Sequence, residues 1–282
     1  MATGGASGAG ATDPAAGTTV TVGGDRPAKL YIPGSYSANS AIPLVILLHG
    51  YGATGALQEL YLNLKKQADL LGFAYANPDG TTDATNKRFW NATKACCDFG
   101  DTGVDDETYL MSLVDEIAGT VNIDPKRIHF FGHSNGGFMA YRMACTHADR
   151  IASVGVLAGA MAIRPEDCAP STGVGILHVH GTADATIDYE GGKVAAGVEG
   201  YRGAEASLLP WRSTNACADT PPSSSKADFD VKLAGDDTTL TSYDGCNPGI
   251  ALWAIEGGKH IPDFNANFSP AAMAWLLAHP KP

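Results

Sequence analysis

A doubly wound, mostly parallel α/β sheet is the fold class that this 282-residue sequence predicts. Three observations carry the prediction. Apolar runs of strand length alternate along the chain with segments of helical periodicity. Several runs, residues 43–48 above all, lack polar alternation, as strands buried on both faces do. A Gly-x-Ser-x-Gly box, residues 132–136, stands between the apolar run 128–131 and the apolar stretch 138–145, at a strand-to-helix junction.

The elements follow in order. Short leading strands are expected near 18–22 and 28–32, ahead of the buried strand 43–48. A helix over 55–71 leads to a strand at 72–76, and residues 77–102 read as a long loop. The helix at 103–119 carries Tyr109, Leu110, Leu113, Val114 and Ile117 on one face. Strand 127–131, helix 135–146 and strands 151–158, 174–180 and 250–255 complete the parallel core, with right-handed crossovers. A last helix covers 268–278. Between the final two strands, the polar stretch 190–245 is expected to pack as a small helix and a hairpin against the core. No long apolar insertion suggests a large lid.

This length suits one α/β domain over 19–282. Residues 1–18 are small, polar and aperiodic, a composition that buries no core and is expected to form a flexible tether. They hold no cationic n-region or apolar h-region, so no signal peptide is present as written. The six cysteines nevertheless suit a secreted or extracytoplasmic chain, because none stands in Cys-x-x-Cys ligand spacing. Cys145–Cys168 and Cys217–Cys246 are the expected pairs. Adjacent Cys96 and Cys97 are left as a vicinal bridge or free thiols, and six reduced cysteines are the alternative. A formal charge of −11 disfavours nucleic acid and anionic membrane as partners. No run of 18 apolar residues exists to span a membrane. A monomer is expected.

The chemistry begins at Ser134, which a sharp turn would lift out of the sheet toward free N–H groups at a helix N-terminus. Strand 43–48 ends in the glycine-rich turn His49-Gly50-Tyr51-Gly52, at the sheet edge where ligands of such folds sit. The N–H groups of Tyr51 and Asn135 are therefore the candidate oxyanion hole. A serine hydroxyl needs a base, and in sheets with this elbow the chain order is Ser, then Asp or Glu, then His. His49, His129, His133 and His147 come too early. His178 and His180 lie on a strand, and His279 is expected to be exposed near the C-terminus. His260, on a loop after strand 250–255, is the base. Asp184, at the end of strand 174–180, is the acid, with Asp188 as the alternative. His178 and His180 share a strand face as metal ligands can, but no third ligand stands nearby, so no metal is expected.

Five blocks together carry a resemblance. They are Trp90-Asn-Ala92 with Cys96-Cys97, Val104-Asp-Asp106, the stretch 132–145, His180-Gly-Thr-Ala-Asp184, and Glu256-Gly-Gly-Lys-His260. In this order, over residues 19–278, the chain resembles secreted esterases of the feruloyl esterase and poly(3-hydroxybutyrate) depolymerase-like group. The resemblance implies an α/β-hydrolase fold, a Ser134–Asp184–His260 triad and cofactor-free hydrolysis of carboxylic esters outside the cell. The chain departs from that pattern at Lys259, at Ile261-Pro262-Asp263 and at Asp188, all flanking the acyl or alcohol pocket. Tyr51, Trp90, His133 and Ile187 are the candidate substrate-binding residues, with a purely structural Trp90 as the alternative. The first substrate expected is a hydroxycinnamoyl ester of plant cell-wall polysaccharide. A short-chain polyester and an acetyl ester are the alternatives. A serine peptidase would bring a further domain, and a non-catalytic binding protein would lack a triad member.

Overall fold

The computed structural model describes residues 16–164 and 167–282. The tether expected over residues 1–18 therefore lies almost wholly outside the described residues. Fourteen strands and six helices are found among those described. The first half of the chain holds β1 (Thr18–Val22), β2 (Ala28–Ile32), β3 (Ile42–Leu48), α1 (Gly55–Leu62), α2 (Leu64–Leu71), β4 (Ala74–Ala76), β5 (Thr81–Thr82), β6 (Arg88–Phe89) and α3 (Asp106–Thr120). After these come β7 (Ile123–His133), α4 (Asn135–Thr146), β8 (Ser153–Leu157), β9 (Gly175–Gly181), β10 (Gly191–Gly192) and β11 (Tyr201–Arg202). The chain ends with α5 (Ala204–Thr214), β12 (Ser223–Ala227), β13 (Thr238–Tyr243), β14 (Ile250–Ile255) and α6 (Phe268–Leu277).

Ten of the strands form one sheet in the order β1-β2-β4-β3-β7-β8-β9-β14-β13-β12. Its six central strands, from β4 to β14, run parallel. Antiparallel pairs flank them, β1 and β2 at one edge and β13 and β12 at the other. Alternation along each strand sorts the side chains into two cores. Leu44, Ile46 and Leu48 of β3 join Phe130, Val154 and Ile176 on one face, covered by α3, α4 and α5. Val45 and Leu47 join Phe131, Leu177 and Trp253 on the other, beneath α2 and α6. Because both faces are covered, the central runs carry no polar alternation. The doubly wound sheet is the one the sequence predicts.

Two elements depart from expectation. The helix over 55–71 is two helices, broken at Asn63, whose φ of 52° is left-handed. The Glu59 carboxylate accepts from the N–H groups of Leu64 and Lys65 at 3.1 and 3.0 Å, capping the start of α2. The hairpin of the 190–245 stretch meets the core through Ala227 and Leu240, but as part of the sheet and not as a separate appendage. It extends the sheet, with Leu240 opposite Trp253. His279 is partly covered rather than exposed, its ring stacked 3.9 Å from that of Trp275. The disulfides are Cys145–Cys168, Cys217–Cys246 and the vicinal Cys96–Cys97.

Candidate active site

Parallel strands point their carboxyl ends to one edge, so the segments after β3, β7, β9 and β14 converge there. Ser134 stands at the β7-to-α4 turn with φ 54° and ψ −121°, a conformation that side chains other than glycine rarely hold. Close approach on both sides maintains it. A Cβ on Gly132 would collide with the Gly136 carbonyl, and one on Gly136 with the Leu48 carbonyl. The Ser134 N–H donates to the Leu157 carbonyl at 2.8 Å, tying the turn to β8.

His260 reaches the same point from the loop after β14. Its Nε2 lies 2.9 Å from Ser134 Oγ, and its Nδ1 lies 2.8 Å from Asp184 Oδ2. A carboxylate only accepts, so Nδ1 carries the hydrogen and Nε2 accepts from the serine hydroxyl. Asp184 Oδ1 accepts from the N–H groups of Thr186 and Ile187, at 2.8 and 2.9 Å. Burial alone would raise the Asp184 pKa. Hydrogen bonds from His180, His260 and the Ile187 backbone outweigh it and hold the carboxyl well below its usual range.

His133 lies beside this row, its ring centroid 5.3 Å from that of His260. Its Nε2 donates to the His260 carbonyl at 3.0 Å. Burial pushes its pKa down to about 4, so the ring is neutral and Nδ1 is an acceptor. The Gln58 amide facing Nδ1 at 3.3 Å is accordingly assigned with its NH2 toward the ring, which also gives that buried NH2 a partner.

Across the serine, a Cβ on Gly50 would come within 3.3 Å of Ser134 Cβ, so the His49–Tyr51 turn runs close beside the serine. The Asn135 N–H occupies the first helical position, where no intrahelical acceptor exists. The Tyr51 hydroxyl donates to Asp83 at 2.5 Å, and the ring meets Phe99 edge-on at 5.5 Å. Phe99 is 51% exposed.

Ser134 and Asp184, singled out from sequence, are thus each hydrogen-bonded to His260. Tyr51 and Asn135 flank the serine. Asp188, the alternative acid, instead places its backbone N–H against the Tyr201 hydroxyl. Of the candidate substrate-binding residues, Tyr51 alone offers appreciable surface. Trp90 is fully buried and donates its indole N–H to the His49 carbonyl at 3.1 Å. His133 and Ile187, 6% and 2% exposed, support His260 and Asp184 from behind. His178 and His180, weighed as metal ligands, bond to each other at 3.0 Å. Phe99 was not legible in the sequence, being a lone aromatic in a loop. Gln58 lay within a helical pattern that gave it no role.

The family described as Phospholipase/Carboxylesterase matches residues 36–199, more than half of the chain. Feruloyl esterase B of Piromyces equi is 27% identical over 237 residues, covering 81% of this chain and 41% of that protein. Poly(3-hydroxyalkanoate) depolymerase C of Paucimonas lemoignei is 25% identical over 270 residues, covering 92% of this chain and 60% of that protein. The chain thus spans about half the length of these relatives. Acetyl xylan esterase from Aspergillus awamori superposes with a TM-score of 0.65 at 13% identity, over 92% of this chain and 98% of that one. At that identity the likeness is one of fold.

Proposed function

This chain belongs to the phospholipase/carboxylesterase family and has the α/β-hydrolase fold, and on that premise we propose that it is a cofactor-free serine hydrolase of carboxylic esters. One observation carries the reading: Ser134, His260 and Asp184 form an unbroken hydrogen-bonded row at the carboxyl edge of the sheet. Ser134 Oγ attacks the ester carbonyl as His260 Nε2 takes its proton, and Asp184 stabilises the imidazolium that results. The N–H groups of Tyr51 and Asn135 hold the oxyanion, each worth about 3–4 kcal/mol of transition-state stabilisation. His260 then protonates the leaving alcohol, and water repeats the sequence on the acyl-enzyme. His133, through the His260 carbonyl, fixes the loop that carries the base.

The substrate proposed is a hydroxycinnamoyl ester. The Tyr51–Phe99 edge-on pair beside the oxyanion turn supports it, offering an open aromatic surface to a flat ring. The Piromyces relative named as a feruloyl esterase supports it as well. Ile261, next to His260 and 60% exposed, favours a second reading, a polyester chain laid across an open site. Three disulfides support a location outside the cytoplasm. Among the described residues, no helix is long and apolar enough to cross a membrane.

Initial rates on methyl ferulate, p-nitrophenyl butyrate and suspended poly(3-hydroxybutyrate) test this, with Ser134→Ala beside the parent. A lead for methyl ferulate in kcat/KM, abolished by Ser134→Ala, is the expected result. Turnover of the butyrate or the polymer alone transfers the reading to an aliphatic ester. Activity surviving Ser134→Ala removes the triad assignment.

A further inference from the structure

Behind Asp184 runs a buried chain of polar side chains that ester hydrolysis by the triad does not itself employ. The Tyr141 hydroxyl lies 2.7 Å from His178 Nδ1, and His178 Nε2 lies 3.0 Å from His180 Nδ1. His180 Nε2 is 2.8 Å from the Ile187 carbonyl and 3.3 Å from Asp184 Oδ2. Residues 178 and 180 share one face of β9, and Tyr141 meets them from α4. None of the three is more than 1% exposed.

The position of every proton along this chain follows from its end. The Ile187 carbonyl and the Asp184 carboxylate only accept, so His180 Nε2 carries the hydrogen. His178, kept neutral by burial, donates from Nε2 to His180 Nδ1. His178 Nδ1 accepts in turn, so the Tyr141 hydroxyl donates. The donors run one way, from Tyr141 to His180, whose N–H meets the Ile187 carbonyl at 2.8 Å with Asp184 Oδ2 beside it at 3.3 Å, an arrangement in which each polarises the next. Burial keeps the Tyr141 proton in place and disfavours a charged His178.

We propose that Tyr141, His178 and His180 form a one-directional donor chain that positions Asp184 and sets how strongly its carboxylate holds His260. His180 is then a positioning residue for proton transfer. This rests on the reading of Ser134, His260 and Asp184 as the working triad. Asp184 Oδ2 is shared between two imidazole N–H groups, and the share taken by His180 is charge withheld from His260. Without His180, the oxygen stabilises the imidazolium form more strongly. Since His260 must be neutral to accept the serine proton, the acid limb of the rate profile moves to higher pH.

Other titratable groups face this pair. They are His133 from β7, itself backed by Tyr61 from α1, and Tyr189, edge-on to His180 at 5.7 Å. Tyr201, whose hydroxyl accepts from the Asp188 N–H, approaches Asp184 from the 187–202 segment, and Lys259 adjoins His260. Burial keeps His133 neutral and the three tyrosines protonated near neutral pH.

The test is the pH profile of kcat/KM on p-nitrophenyl butyrate for the parent, Tyr141→Phe, His180→Phe and His180→Gln. Proton spectra of the His260–Asp184 hydrogen bond accompany it. In His180→Phe the acid limb rises by about half to one pH unit, the scale of one ordinary net hydrogen bond. The low-field proton moves further downfield. Tyr141→Phe shifts both in the same direction by less, and decides the matter if His180→Phe does not fold. His180→Gln, whose amide keeps an N–H at similar reach, returns the limb toward the parent. Superimposable acid limbs in variants that unfold at the parent's denaturant midpoint overturn the proposal. So does equal behaviour of the Phe and Gln variants. Turnover surviving Ser134→Ala overturns the triad reading first, and this inference with it.

Discussion

Trp90 and Asn135 are joined by two hydrogen bonds between the backbone of one and the side chain of the other. The Trp90 N–H donates to Asn135 Oδ1 at 2.7 Å, and Asn135 Nδ2 donates to the Trp90 carbonyl at 2.9 Å. With its indole on the His49 carbonyl, Trp90 braces both segments that present the proposed oxyanion donors. Its place is therefore behind the site, and its effect is on spacing.

Replacing Trp90 by Phe keeps most of the bulk but leaves the buried His49 carbonyl without its donor. Stability falls by about 1–3 kcal/mol, the cost of a buried unpaired polar group. Loosening of the oxyanion turn lowers kcat by roughly tenfold, a fraction of what one such donor supplies, with KM little changed. Steady-state kinetics beside denaturant unfolding measure both. Lost stability at unchanged kcat would make Trp90 a strut without influence on the reaction.

Asp184 is surrounded by donors alone: two backbone N–H groups on Oδ1 and two imidazoles on Oδ2. In Asp184→Asn the amide NH2 must face a donor whichever way it turns. His260 is driven to the wrong tautomer, and kcat drops by about 10⁴-fold, as in other triads so altered. A retained fold by circular dichroism, with activity within tenfold of the parent, would remove Asp184 from its role.

Acid should weaken the fold through its buried histidines. Burial lowers His133 to about 4 and His129 to about 3, from an ordinary value near 6.5. Above that value neither ring is charged in either state, and their neutral burial is undisturbed. As pH falls toward 4 the unfolded chain takes up protons that the folded chain refuses. Each ring then removes up to about 1.4 kcal/mol of stability per pH unit. Urea unfolding at pH 7, 6 and 5 reads the slope. His129→Leu flattens it by about one proton, while Ser153, which bonds His129, keeps its own hydrogen bond to the Leu276 carbonyl. An unchanged slope in that variant would show that His129 does not titrate in this window.

Phe99→Ala tests the aromatic surface separately from the chemistry. An aromatic contact is worth about 0.5–1.5 kcal/mol, so KM for methyl ferulate rises by roughly two- to tenfold. The value for p-nitrophenyl butyrate stays within twofold. Equal effects on both esters would detach Phe99 from acyl recognition.

The sheet and its carboxyl-edge loops were legible in the sequence because buried parallel strands write themselves as unbroken apolar runs. Residues 43–48 and 250–255 are examples. The break at Asn63 was not, since no glycine or proline marks it and the apolar pattern continues across it. The hairpin over 223–243 was misplaced for a related reason. An outer strand such as Ser223–Ala227 needs backbone partners and little apolar surface, so composition suggests a packed appendage. Chain order singled out Ser134, Asp184 and His260. It was silent on Tyr141, which lies 37 residues from His178 in sequence and touches it only once the sheet is assembled.

The polar β12 has one further consequence. It closes the sheet with exposed Ser223, Ser224, Ser225 and Lys226, whose backbone groups on the outer side have no neighbouring strand among the described residues. A second molecule adding its own strand there would bury a lysine ammonium and gain no apolar contact. Growth of the sheet from one molecule to the next is thereby discouraged at this border, and a concentrated solution of the protein resists fibril formation from it.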